Sequence, residues 1–142
     1  MKRDIKNRED IDRLMRLFYR DAIADEKIGS IFTDVAKLDL EHHLPIIGDF
    51  WETLLFRTGD YARYGRNPLQ VHVELDKKIR LTREHFQRWL EIFSATVDSL
   101  FAGETAEFIK MRSAAIAVRM LEALGHAPQG RQAVPIAAVA ER

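Results

Sequence analysis

Apolar residues recur at intervals of three and four along four long stretches of the chain, and this spacing predicts four amphipathic helices. Residues that favour helix starts, Asn7 and Thr82, precede two of these stretches. No long stretch alternates apolar and polar residues, so we expect an all-α fold. The predicted helices cover about residues 8–24, 39–56, 82–102 and 105–124.

In each predicted helix, the residues of the apolar stripe are expected to face the core. In the first two helices these are Ile11, Leu14, Met15, Phe18 and Ala22, then Leu40, Leu44, Ile47, Trp51 and Leu54. In the last two they are Phe86, Trp89, Leu90, Phe93, Val97 and Leu100, then Phe108, Met111, Ala115, Val118, Leu121 and Leu124. At about 100° per residue, His43 falls inside the second stripe and its neighbour His42 falls outside it.

Shorter elements are expected between the long helices. Residues 28–32 and 35–38 read as two short segments, and residues 76–80 as a charged link. Asn67-Pro68 suits the start of a short helix, because the residue before proline is extended and proline fixes the next φ. His72 then lies about one turn into that helix.

The length of 142 residues fits one domain, which we place at residues 1–125, with an Ala- and Pro-rich extension at 126–142. The net charge is zero, so nothing attracts nucleic acid or an anionic membrane. The absence of cysteine excludes thiolate metal sites and iron–sulfur clusters. The charged start lacks the apolar region of a secretory signal, and no run approaches a membrane span, so a cytoplasmic protein is expected.

Most catalytic templates fail on this sequence. It has no Gly-rich phosphate loop, no His-Glu-x-x-His zinc pair and no nucleophile elbow. Zinc bound by His42, His43 and His85 is conceivable, but their spacing fits no common zinc pattern.

One group of polar and aromatic residues remains. Each member has an ordinary interpretation as core packing, and together those interpretations describe a cofactor-free helical interaction module. As a set, the residues fit a haem pocket better, because a large flat apolar cofactor needs aromatic walls, one axial nitrogen and few polar groups opposite. The set is Tyr19, His43, His72 and Trp89, among Phe32, Ile47, Phe50 and Phe86.

Five motifs, in this order and spacing across about residues 8–125, resemble group III truncated haemoglobins. Groups I and II usually carry Gly-Gly pairs at helix junctions, and this sequence has none. The motifs are Leu17-Phe18-Tyr19-Arg20; Ile28-Gly29-Ser30-Ile31-Phe32; His43-Leu44-Pro45 with Asp49-Phe50-Trp51-Glu52; Tyr64-Gly65-Arg66-Asn67-Pro68 with His72; and His85-Phe86 with Arg88-Trp89-Leu90.

The resemblance implies a two-over-two helical sandwich around haem b. His72 would be the proximal iron ligand, and Ile47 would lie above the iron. The distal side would be lined by Tyr19, His43 and Trp89. Such proteins bind diatomic gases, and their chemistry includes oxygen, nitric oxide and peroxide reactions or electron transfer.

Among these activities, the residues favour redox or detoxification chemistry over simple oxygen storage, because several donors share one small distal face. An oxygen carrier and an electron-transfer haem protein are the alternatives. Nitric oxide dioxygenase-like or peroxidase-like turnover would need a separate reductase, since the chain has no flavin or nicotinamide motif. We expect a monomer or a weak oligomer.

Overall fold

Helices make up most of residues 1–65 and 67–125, the part of the chain that this computed structural model describes. Within these residues no strand occurs, which confirms the all-α prediction. Arg66 and the predicted extension at 126–142 lie outside the described residues. The long helices are α1 (Arg8–Ile23), α2 (Leu40–Phe56), α3 (Pro68–Lys78), α4 (Arg83–Leu100) and α5 (Glu104–Ala123). Two shorter elements are a π-helical turn (Ile31–Val35) and a 3-10 turn (Tyr61–Tyr64).

Four of the five helices begin at a local cap, where a side-chain oxygen accepts a backbone N–H from the first turn. The caps at Asn7 and Thr82 confirm the two predicted helix starts. Thr82 forms a full capping box, because the ring of His85 accepts the N–H of Thr82 in return. The capping residues of α1 to α4 are Asn7, Asp39, Asn67 and Thr82.

The start of α5 is capped by a residue from the opposite end of the sequence. The Asp4 carboxylate accepts the N–H groups of Thr105 at 2.9 Å and Ala106 at 2.8 Å. Gly103 precedes α5 with φ of 143°, and a Cβ there would lie 2.4 Å from Asp4 Cγ. Ile5 beside it is buried. The N-terminal segment is therefore part of the packed domain.

The helices form two pairs. α1 packs on α2, α4 packs on α5, and the pairs meet where α1 contacts α4. Phe18, Leu14, Phe93 and Val97 are almost fully buried at this junction. This arrangement confirms the predicted two-over-two sandwich. None of the described helices is long and apolar enough to cross a membrane.

The predicted inward face of α5 is wrong for three residues. Phe108, Met111 and Val118 are 39%, 59% and 42% exposed. Leu121 is buried as predicted. The buried face instead includes small residues, which let α4 and α5 approach closely. The prediction favoured large apolar residues and therefore selected a different stripe of the helix. The buried residues of α5 are Ala106, Ile109, Ser113, Ala117, Met120 and Leu121.

Two short elements also differ from the prediction. Helical structure at Gly29 runs directly into the π-helical turn that ends at Val35, so one element replaces the two expected segments. The predicted charged link at 76–80 is partly helical, because α3 continues to Lys78. Lysines suit the negative carbonyl end of a helix, which explains why the charges do not stop α3 earlier.

Candidate functional site

A cavity of about 240 Å³ lies between the two helix pairs and α3. All five helices contribute to its lining. Every residue of the predicted haem pocket lines this one cavity, although these residues lie up to 70 positions apart in the sequence. Their roles stay a prediction. These eight residues are Tyr19, Phe32, His43, Ile47, Phe50, His72, Phe86 and Trp89.

His72 projects from the first turns of α3, and its ring is held by its own helix. The Nδ1 atom of His72 lies 2.8 Å from the carbonyl oxygen of Pro68. Because a carbonyl oxygen only accepts, Nδ1 must carry the proton, and the neutral ring then has its lone pair on Nε2. Phe86 of α4 lies beside the ring, with centroids 6.4 Å apart. The result is an imidazole of fixed tautomer at the cavity wall.

Tyr19 and His43 form a polar pair between α1 and α2. The Tyr19 hydroxyl and His43 Nε2 are 2.9 Å apart, and which atom donates depends on the tautomer of the histidine. Tyr19 is buried and His43 is half-buried, so the pair runs from the interior toward solvent. Phe32 packs edge-on against the Tyr19 ring at 5.8 Å. The two hydrogen-bonding groups therefore occupy one small region of an otherwise aromatic wall.

Trp89 is oriented by a stack of aromatic rings. Its ring lies parallel to Phe93, with centroids 5.0 Å apart and an interplanar angle of 11°. Phe18 meets Trp89 edge-on, also at 5.0 Å. Trp51 stacks on the other side of this group against Phe93 at 5.8 Å. Such ring contacts leave the Trp89 indole little freedom to rotate.

Sequence reasoning missed the contribution of α5 to the cavity. The α5 residues that line it lie outside the stripe predicted to face the core, and their spacing of three and four residues was the available signal. Tyr61 and His85 also line the cavity without having been assigned to it. The four α5 residues are Ser113, Ile116, Ala117 and Met120.

The zinc alternative finds no support in the structure. Among the described residues, no group of three His, Asp or Glu side chains lies close enough to hold a metal ion. His42 is exposed, His43 bonds to Tyr19, and His85 belongs to the capping box of α4. The three histidines therefore do not converge on one point.

A buried carboxylate next to the cavity wall is the main charged group of this region. Asp49, which precedes the cavity residue Phe50, is only 7% exposed. Burial alone would raise the pKa of Asp49, but hydrogen bonds from Tyr64 and Arg8 outweigh it and hold the pKa below the ordinary value. The pKa of the Arg8 guanidinium is correspondingly raised by its carboxylate partners against the opposing effect of burial. Asp49 is therefore ionised, and both of its carboxylate oxygens accept hydrogen bonds.

Comparisons with known proteins agree with this geometry. No protein-family model matches the sequence. The Group 3 truncated hemoglobin ctb of Campylobacter jejuni is 30% identical over 120 residues, which are 82% of this chain and 90% of that protein. The crystal structure of group III truncated hemoglobin from Campylobacter jejuni superposes with a TM-score of 0.76 at 28% identity, covering 93% of this chain and 100% of that chain. The chain therefore belongs to the group III truncated haemoglobins, a family that implies haem-based ligand binding.

Proposed function

We propose that the cavity holds haem b, with His72 as the proximal iron ligand and Tyr19, His43 and Trp89 on the distal side. The observation that carries this proposal is the hydrogen bond from His72 Nδ1 to the Pro68 carbonyl. Histidines that bind metals characteristically donate their other ring N–H to a carbonyl, which orients the ring and raises its basicity. A bound haem would supply the iron at which diatomic gases bind.

The remaining walls fit the same cofactor. Phe50 and Phe86 offer ring surface to the cavity, and Ile47 adds a branched aliphatic side chain to its lining. Pockets for large ligands combine such apolar walls with a few placed polar groups. These apolar residues would exclude water from the coordination side of His72, where water would compete for the iron.

Haem binding is tested by reconstitution and absorption spectroscopy. Purified protein mixed with haemin should show a Soret band at one haem per chain. The His72→Ala variant should lose that band and regain it with added imidazole, which replaces the missing ring. The matched control is His42→Ala, an exposed histidine that should change nothing. If His43→Ala loses haem while His72→Ala retains it, the proximal and distal sides are reversed.

We further propose that the protein carries out redox or detoxification chemistry rather than oxygen storage. The Tyr19 hydroxyl, the Trp89 indole and His43 are all hydrogen-bonding groups among the residues that line the cavity. Donors in a dry site stabilise negative charge on a bound ligand and slow its release. A storage protein must release oxygen readily, so a distal side this rich in donors opposes storage.

The Tyr19–His43 pair also suits proton transfer. His43 is half-buried and contacts the buried Tyr19 hydroxyl, so a proton can pass between solvent and the cavity through these two groups. Histidine is the side chain whose ordinary pKa lies nearest neutral pH, which suits this role. Turnover of nitric oxide, oxygen or peroxide would draw electrons from a separate reductase.

Ligand kinetics test the functional proposal. Oxygen should dissociate slowly from the wild-type protein, and Tyr19→Phe and Trp89→Phe should each speed dissociation about tenfold, the effect of losing a hydrogen bond of about 1.4 kcal/mol. Phe93→Leu is the matched control, because it alters the same aromatic stack at a residue that has no donor and does not line the cavity. Fast wild-type release, unchanged by Tyr19→Phe or Trp89→Phe and without turnover of nitric oxide or peroxide, would support an oxygen carrier instead.

A further inference from the structure

We propose that Asp49 is a positioning residue for His72, acting through Tyr64 and the 3-10 turn that leads into α3. The inference rests on the proposed role of His72 as the iron ligand. It addresses which contacts orient the His72 side chain. The question arises because α3 is less deeply buried than the other long helices. Among its described residues, Pro68–Lys78, none is buried.

Asp49 is the centre of a cluster of hydrogen-bonded charges, which we call the Asp49 cluster: Arg8, Asp49, Arg63 and Tyr64. Asp49 Oδ1 accepts from Arg8 Nη1 at 2.5 Å. Asp49 Oδ2 accepts from the Tyr64 hydroxyl at 2.6 Å and from Arg63 Nη2 at 3.1 Å. A buried carboxylate with three donors is costly to disturb, because each lost partner leaves charge unsatisfied.

The backbone of α2 is shaped around this cluster. The Arg8 guanidinium lies across Gly48, and a Cβ at Gly48 would come within 2.6 Å of Arg8 Nη2. The chain then returns along α2 at Gly59, where a Cβ would lie 2.8 Å from the Asp49 carbonyl oxygen. The 3-10 turn Tyr61–Tyr64 contacts α2 as a result. A side chain at Gly59 would clash with the backbone of α2, and one at Gly48 would displace the Arg8 guanidinium.

The link from Asp49 to His72 combines hydrogen bonds with the short sequence connection between Tyr64 and Asn67. Tyr64 ends the 3-10 turn and lies three residues before Asn67, which caps α3 by accepting from the N–H groups of its first turn. The carbonyl of Pro68, at the first position of α3, then accepts from the His72 ring. The far end of α3 is fixed separately, since Asp76 accepts the N–H of Leu81 at 2.7 Å.

The same carboxylate also reaches the helices that carry the distal residues. Asp49 lies on α2 with His43, and its partner Arg8 lies on α1 with Tyr19. The Asp49 carboxylate is therefore one tie between the distal helices and the turn that precedes the proximal helix, beside the contact of Phe50 with Tyr61. Loss of the bond to Tyr64 should let α3 shift relative to α1 and α2 while the packed core stays intact.

The test compares Asp49→Asn and Tyr64→Phe with Asp12→Asn. Asp12 accepts from Arg8 Nε at 2.8 Å, so its substitution also removes a carboxylate partner of Arg8, but Asp12 does not contact the 3-10 turn. The readouts on the haem-loaded protein are the iron–histidine stretching band in resonance Raman spectra and the rate of haem transfer to apomyoglobin. A role limited to folding would not move the stretching band.

We expect Asp49→Asn and Tyr64→Phe to shift or broaden that band and to speed haem transfer about tenfold, while Asp12→Asn leaves both unchanged. Tyr64→Phe removes one oxygen from a half-buried residue, so it keeps the test valid if Asp49→Asn folds poorly. The proposal is overturned if Tyr64→Phe behaves like the wild type and Asp49→Asn, where folded, behaves like Asp12→Asn.

Amide exchange separates this inference from the haem assignment. On the protein as purified, Tyr64→Phe should speed exchange in α3 about tenfold and leave α1 and α4 unchanged. If His72→Ala retains haem, the proposed ligand is wrong, yet faster exchange in α3 would still show that Tyr64 anchors this helix. Unchanged exchange in α3 would refute the anchoring itself, whichever residue binds iron.

Discussion

The two sides of the cavity are built by different means. The wall made by α1, α2 and α4 is packed: Phe18, Phe93 and Trp51 are almost fully buried, and their rings contact one another. The wall made by α3 has no buried residue among those described, and Val71 on it is 37% exposed. Leu75 packs on the core while only partly buried, and hydrogen bonds at the two ends of α3 add to this contact.

The two walls of the cavity are therefore positioned by different kinds of interaction, and the stability of each wall depends on the kind it uses. Packing positions Tyr19 and Trp89 through many small contacts, none of which acts alone. The ring of His72 is oriented by a directional hydrogen bond to the Pro68 carbonyl, which one substitution can remove. Helices held in this second way open at lower free energy than the global unfolding transition.

The largest expected effect is on the packed wall. Phe93→Ala should lower the free energy of unfolding by about 3–5 kcal/mol, because it empties the centre of the aromatic stack. Val71→Ala in the α3 wall should lower it by less than about 1 kcal/mol, since that side chain is partly solvated already. Urea unfolding of both variants measures the contrast, and equal losses would show that α3 is packed as tightly as α4.

Helix caps provide a sharper comparison, because the same chemistry occurs on both walls. Thr82→Ala should lower the global free energy of unfolding by about 1 kcal/mol, since α4 is part of the packed core. Asn67→Ala removes an equivalent cap, yet it should act mainly on α3. Thermal unfolding should detect the first substitution, and amide exchange confined to residues 68–78 should detect the second. If Asn67→Ala lowers global stability as much as Thr82→Ala does, α3 unfolds together with the packed core and the contrast between the two walls is wrong.

Acid should weaken the link between the walls. The folded-state pKa of Asp49 is below its ordinary value of 3.8, so its contribution is fully present above that value and is lost as pH falls through the lowered pKa. Unfolding free energy should therefore fall with pH in the wild type below about pH 4, and fall less steeply in Asp49→Asn. Urea unfolding at pH 3 and pH 6 measures this difference. Identical slopes for the two proteins would mean that Asp49 titrates alike in the folded and unfolded chains.

The smallest effect is expected for the C-terminal extension. Its Ala- and Pro-rich composition gives it little to bury, so deletion from Ala127 onward should leave haem content and the thermal midpoint nearly unchanged. A Soret titration and a melting curve of the truncated protein suffice. A fall of several degrees would show that the extension stabilises one of the two walls.

Local features were predictable from the sequence. Capping residues predicted the helix starts at Asn7 and Thr82. The spacing of apolar residues along one helix predicted the different exposure of His42 and His43. The grouping of the eight residues in one cavity was predicted from the chemistry of a haem pocket and from the family resemblance, because no local rule joins Tyr19 to Trp89.

The misses arise from pairings between distant parts of the chain. The buried face of α5 depends on how closely α4 approaches Ala106 and Ser113, and its own sequence offers an equally apolar stripe on the wrong side. In the sequence Asp49 appeared only as part of a motif, because nothing in its neighbours indicates the contact with Arg8, 41 positions earlier. Contacts between residues so distant in the sequence can be identified only from the three-dimensional structure.

The Asp4 cap bears on how the chain reaches its final form. Asp4 meets Thr105 and Ala106 across 101 and 102 positions, so this bond closes nearly the whole domain into one loop. Closing a long loop costs entropy before any contact offsets it, so such contacts belong to the late stages of folding. During synthesis Asp4 leaves the ribosome about a hundred residues before its partners do. The first turn of α5 is therefore completed only after every other described helix has been made.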